Sequence, residues 1–291
     1  MEPTIQAFFD KATFTISYLV RDPATRRAAV IDPVLDFDPR SGRTGTKSAQ
    51  AILDAANKAS LAIDWILETH AHADHLSAAA WLAEKTRAKI AIGEHIVTIQ
   101  KTFRPIFNAK DVVADGTPFD RLLKDGERIA LGGLAIEVLY TPGHTPACVS
   151  YKIGNNVFVG DTLFMPDYGT ARADFPGGDA FALYRSIRRL LSLPPETVLW
   201  MCHDYGAPGR TEYAWKTTVA DERERNVQIH DGVSEKEFVT ARQARDRTLA
   251  MPVLILPSIQ VNIRAGEMPP TEDDGNTYLK IPVNRIGREP S

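Results

Sequence analysis

Thr69-His70-Ala71-His72-Ala73-Asp74-His75 directly follows a short apolar run at residues 65–68 that reads as a buried strand. The chain has seven histidines, and three of them fall in this segment beside an aspartate. His70 and His72 alternate, so on extended backbone they project the same way. Asp74 and His75 come where the chain turns into an expected helix over 76–86. One segment thus offers two imidazoles from one side and a carboxylate plus an imidazole from another. That donor set suits zinc or iron and needs no thiolate. The bland reading of the same letters is a histidine-rich solvated loop or a helix cap. Three residues further along weigh against it, each just past an expected strand: His144 in Thr141-Pro142-Gly143-His144-Thr145-Pro146, Asp161 in Val159-Gly160-Asp161-Thr162, and His203 in Met201-Cys202-His203-Asp204-Tyr205. Strands emptying onto a common rim would bring these side chains together.

Outward from this segment, residues 15–20 and 27–31 read as a hairpin joined by Asp22-Pro23-Ala24-Thr25. Residues 36–47, with Asp, Pro, Gly, Ser and Arg and no periodicity, read as an exposed loop, and 48–59 as an amphipathic helix. A strand is expected at 89–92. Hairpins are expected at 128–140, around Gly132-Gly133, and at 149–159, around Gly154-Asn155-Asn156. Then follow a helix at 180–192, a strand at 197–200, and polar helices near 213–225 and 234–249. The tail from about 268, rich in Pro, Asp, Glu and Gly, is expected to be loosely held. No linker poor in apolar residues divides the chain, so residues 1–291 are read as one domain.

Composition narrows the functional classes. Apolar residues at 44% and charged residues at 24% are ordinary globular usage. No apolar run reaches the roughly 18 residues of a membrane span. The first ten residues, with Glu2 and Asp10 and no basic start, do not read as a secretory signal. Against 37 acids stand 34 Lys and Arg, a formal charge of −3, which argues against a nucleic-acid partner. Two cysteines, Cys148 and Cys202, make no disulfide framework and read as small buried residues. The expectation is a soluble cytoplasmic protein.

The order His-x-His-x-Asp-His, then His144, Asp161 and His203, resembles the metallo-β-lactamase superfamily. That resemblance implies an α/β chain folded as a four-layer αββα sandwich with a metal site at one edge of its sheets. The segments Thr141 to Cys148, Gly160-Asp161, Gly169-Thr170-Ala171-Arg172-Ala173-Asp174-Phe175, Leu193-Pro194-Pro195 and His203-Asp204-Tyr205 are similar to the persulfide dioxygenases within it. Glyoxalase II, a glutathione thioester hydrolase, shares the metal residues, but its last motif tends to carry Glu where this chain has Asp204. The persulfide dioxygenase resemblance implies one Fe(II) per chain held by His70, His144 and Asp161. It also implies oxidation of glutathione persulfide by O2 to sulfite and glutathione. His72, Asp74, His75, His203 and Tyr205 would then orient ligands and solvent or relay protons. Arg172, Asn262 and Arg264 would bind substrate, although an Arg172–Asp174 ion pair that fixes the loop is an even alternative. The family-level expectation is a homodimer. The letters also hold all seven residues of a two-metal hydrolase, so zinc, including a second site, and a thioester or lactone substrate stand as the alternative. A catalytically silent metal-binding scaffold is disfavoured by the complete donor set. Two features depart from the resemblance: residues 164–170 and 36–47 are longer, and Ala173 stands where a threonine is frequent.

Overall fold

The computed structural model describes residues 2–287. Along the first half run β1 (Thr4–Asp10), β2 (Thr15–Arg21), β3 (Arg27–Ile31), β4 (Val34–Asp38), β5 (Arg43–Gly45), α1 (Lys47–Lys58), β6 (Ala62–Leu67), β7 (Leu76–Ser77), α2 (Ala79–Thr86), β8 (Lys89–Gly93), α3 (Ile96–Ile106) and β9 (Arg121–Leu123). The second half adds β10 (Arg128–Leu131), β11 (Leu134–Tyr140), β12 (Val149–Ile153), β13 (Asn156–Phe158), α4 (Ala180–Leu191), β14 (Val198–Trp200), β15 (Lys216–Thr218), α5 (Val219–Arg225), α6 (Glu235–Asp246) and α7 (Ile255–Asn262).

Alternation along the strands builds the layers. In β2, Ile16, Tyr18 and Val20 face the second sheet, while Leu19 faces the helices. In β3, Ala29 and Ile31 take the first side, Ala28 and Val30 the other. Strands with both faces covered read as continuous apolar runs, as these do. The first sheet has the order β1-β2-β3-β6-β8-β9, and the second β10-β11-β12-β13-β14-β15. Between them lies one core, with Val138, Tyr151 and Phe158 from the second sheet. A second core packs α1, α2, α3 and α7 on the first sheet, and a third packs α4 and α6 on the second. The result is the αββα sandwich, with seven helices among the described residues.

Several local expectations are corrected. Residues 36–47 are not a plain loop: β4 and β5 form a hairpin, whose turn is made by Asp38 accepting from Arg40 N and Ser41 Oγ. The polar letters that suggested a loop are the turn's own hydrogen-bonding groups. The expected helix at 76–86 starts as β7, which pairs with β4, and turns helical only at Ala79. Near 213–225 a strand, β15, precedes the helix. The tail from 268 has no helix or strand, but Gln260 brackets Lys280 with two hydrogen bonds of 3.0 and 2.9 Å. Residues 288–291 of that tail lie outside the described residues.

Candidate metal centre

Four strand ends supply the site. The 69–75 segment leaves β6, the His144 loop leaves β11, Asp161 follows β13 and His203 follows β14. Two glycines let these loops close in. Gly143 has φ +143, and a Cβ there would lie 2.3 Å from Leu183 Cα of α4. Gly160 has φ +53, and a Cβ there would lie 2.8 Å from the Thr69 side chain. Only glycine combines that backbone with that approach.

Each imidazole is aimed by a bond at its other nitrogen. Thr69 Oγ1 donates to Asp32 Oδ2 at 2.8 Å, so it accepts from His70 Nδ1 at 3.0 Å and leaves His70 Nε2 bare. His72 is reversed: its Nε2 bonds Asp32 Oδ1 at 3.0 Å and lies 3.3 Å from Glu68 Oε2, so Nδ1 faces the site. His144 Nδ1 donates to the Arg172 carbonyl at 2.8 Å. Thr15 Oγ1 lies 3.3 and 3.4 Å from Nδ1 of His75 and His203. Bonds of this kind set the tautomer and ring orientation of metal-binding histidines. Asn262 clamps the segment itself: its amide donates to the carbonyls of His72 and His75 and accepts from Ser77 N, each at 2.8 Å.

The atoms left over converge. His70 Nε2, His72 Nδ1, His75 Nε2, His203 Nε2, Asp74 Oδ2 and Asp161 Oδ1 are buried with no hydrogen-bond partner. Asp161 Oδ2 lies 3.9 Å from His70 Nε2 and 3.7 Å from His144 Nε2, and its Oδ1 lies 3.4 Å from His203 Nε2. Asp74 Oδ2 is 3.2 Å from His203 Nε2. Buried polar atoms left bare cost free energy unless something is bound among them, and this set has the chemistry of a cation's ligands. The residues therefore fit a metal. Two groups whose ligand atoms lie within 4.8 Å of one another are His70, His144 and Asp161, and His72, Asp74, His75 and His203; Asp161 also falls in such a group with Cys202 and His203, and His72 in one with Asp32 and Glu68. Burial and the neighbouring histidines push the His70 pKa well below its ordinary value, and burial with His72 lowers that of His75. Both shifts favour the neutral ring a ligand must be. Burial acts the same way on His72, but Asp32 and Glu68 outweigh it and hold that ring well above its ordinary value. Burial would raise the Asp74 carboxyl, yet His203 and His75 hold it low.

A cavity of about 710 Å³ opens on Asp74, His144 and Asp161. Tyr205 lines it, stacked on His203 with ring centroids 5.3 Å apart and planes at 13°. Arg172 lines it too, but its Nε and Nη2 bind Asp174 and its Nη1 binds the Ala250 carbonyl. Asn262 and Arg264 are elsewhere: Asn262 is the clamp just described, and Arg264 pairs with Asp111 at 2.7 and 2.8 Å beside a separate cavity of about 280 Å³. Cys148 and Cys202 are buried free thiols, both pushed up by burial, that of Cys148 to about 12. Sequence reasoning missed Asp32, Glu68 and Thr15, which aim the rings. The sequence showed Asp32 only as a polar residue at the strand end Val30-Ile31-Asp32-Pro33; in the structure it takes φ +47. A non-glycine residue held there is a position the fold has constrained.

Comparison with known proteins places these features in a family. The metallo-beta-lactamase superfamily model matches residues 11–203. The chain is 55% identical to a probable metallo-hydrolase of Burkholderia pseudomallei, over 97% of this chain and 100% of that one. It is 50% identical to a beta-lactamase hydrolase-like protein of Agrobacterium fabrum over 97% of its own length, but spans only 65% of that relative. It is 28% identical to human mitochondrial persulfide dioxygenase ETHE1, over 92% of this chain and 90% of that one. Among solved structures, ETHE1 from Myxococcus xanthus superposes with a TM-score of 0.73 at 30% identity, covering 91% of this chain and 100% of that one. The chain belongs to the metallo-β-lactamase superfamily.

Proposed function

We propose that the protein is a mononuclear iron dioxygenase acting on a thiol-bound persulfide of the glutathione persulfide kind, with the balance RSSH + O2 + H2O → RSH + SO3²⁻ + 2H⁺. The observation that carries this reading is the three-membered group of His70, His144 and Asp161, a two-histidine, one-carboxylate set, two of whose members line the cavity. The likeness to the persulfide dioxygenases supports it. His70, His144 and Asp161 would hold Fe(II), which would supply binding of a sulfur anion and of O2 when present.

The chain's own residues do the rest. Thr69 and the Arg172 carbonyl hold His70 and His144 with Nε2 inward. Phe14, Phe164, Tyr168 and Tyr205 pack on one another along the cavity and would give the substrate an apolar surface beside the donor cluster. Asp74 Oδ2 and His203 Nε2, 3.2 Å apart, face the donor cluster and would orient the water that the reaction consumes. Holding both reactants together in one enclosed place is the protein's contribution to rate.

A second reading has its own observation. His72, Asp74, His75 and His203 form a four-donor group with the same bare atoms, and Asp161 reaches both groups. Two zinc ions there would serve hydrolysis of a thioester or lactone, and the name of the Burkholderia relative points the same way. Anaerobic purification, metal analysis, and assays for O2 uptake on glutathione persulfide and for hydrolysis of a glutathione thioester decide between them. One iron per chain with O2 uptake is expected. Two zincs with thioester hydrolysis and no O2 uptake would replace the first reading by the second.

A further inference from the structure

We propose that Arg245 is the specificity-determining residue of the cavity and anchors a carboxylate at the end of the substrate remote from its sulfur. The inference rests on the reading of the substrate as a glutathione-type thiol derivative, and it holds for either reaction.

Three arginines line the cavity: Arg172, Arg242 and Arg245. The first is consumed by Asp174 and Ala250 O, as described. Arg242 is buried in α6 and equally committed. Its Nε and Nη2 bind Asp246 one helical turn on, at 2.9 and 2.6 Å, and its Nη1 reaches Thr170 O and Gln228 Oε1, both at 3.2 Å. Arg245, the next turn's residue on the same helix, is exposed, and its guanidinium makes no hydrogen bond or ion pair among the described residues. The acids that line the cavity have none to offer it. Asp74 and Asp161 belong to the donor cluster, and Asp167 is held by Arg210 at 2.7 Å. One end of the cavity therefore gathers the metal-facing groups, while its wall presents, among the described residues, a single unspent cation.

A guanidinium fork matches the two oxygens of a carboxylate, a pairing of more energy and better geometry than a lone ammonium gives. A volume of about 710 Å³ accommodates a tripeptide-sized ligand between the two. The body of such a ligand would lie on apolar walls that include Phe37, Leu249 and Val253.

The test is equilibrium binding, by calorimetry, of S-methylglutathione and its diethyl ester to the metal-loaded wild type and to Arg245→Gln, Arg245→Lys and the surface control Lys236→Gln. S-methylglutathione cannot react, so the result is independent of which reaction the site performs. Arg245→Gln is expected to weaken binding of the free acid about tenfold, equivalent to about 1.4 kcal/mol. The ester should be indifferent to the substitution, Arg245→Lys should fall between, and Lys236→Gln should match the wild type. The proposal is overturned by unchanged acid binding in Arg245→Gln, by equal binding of acid and ester to the wild type, or by no binding of S-methylglutathione at all. If binding depends on Arg245 but the wild type takes up no O2 with glutathione persulfide, the dioxygenase reading falls and the anchor stands.

Discussion

The two sides of the cavity treat their polar groups in opposite ways. On the strand-end side, six buried donor atoms of His70, His72, Asp74, His75, Asp161 and His203 have no partner. On the wall built by α6, the 170–174 loop and the segment between α5 and α6, the polar groups of Arg172, Arg242 and Gln228 are satisfied by the protein itself. Leaving a buried polar atom bare costs about 1–3 kcal/mol, so a fold tolerates several only where an outside species completes them. Satisfied groups instead rigidify the wall on which a ligand lies. The difference separates groups that serve chemistry from groups that serve shape, even when both line one cavity.

Substitutions sharpen that contrast. The largest effect is expected at Asp161, whose two oxygens face both donor groups. Asp161→Ala should lose bound metal and all turnover, read by metal analysis and either activity assay. A metal-replete, active variant would break the ligand assignment. Asp32 acts one step back, holding Thr69 at 2.7 and 2.8 Å and His72 at 3.0 Å. Asp32→Asn should weaken metal affinity about 10–100-fold with the site still assembled, measured by chelator competition. Unchanged affinity would mean that the rings are held by packing alone. The smallest effect is on the wall. Arg172→Gln loses the bidentate pair with Asp174 and the bond to Ala250 O. It should cost about 1–3 kcal/mol of stability in denaturant titration, with metal content intact. Were its main effect on binding of S-methylglutathione rather than on stability, the distinction between Arg172 and Arg245 would collapse.

How much of this was readable beforehand differs between the same two sides. All seven donors stand in short motifs at strand ends, where alternation and turns dictate direction from local sequence, and the structure brings them together. Their orienting partners were not legible. Asp32 ends a different strand, and Glu68 looks like the polar close of β6 until Ser77 and His72 are folded against it. In the fold, the β4–β5 hairpin was obscured because its turn is built of side chains that also make good loops. The helix α7 was obscured by Pro257, which is tolerated in a first turn, where its missing N–H costs nothing.

Residue types and spacings of a few positions determined the strand-end position of the candidate donors, and the αββα class came from the family resemblance that those motifs carry. Which arginine is spent and which is free was decided only by tertiary structure. Arg172, Arg242 and Arg245 are chemically the same residue, and what separates them is whether Asp174, Asp246 or, among the described residues, no acid pairs with the guanidinium once the chain has folded.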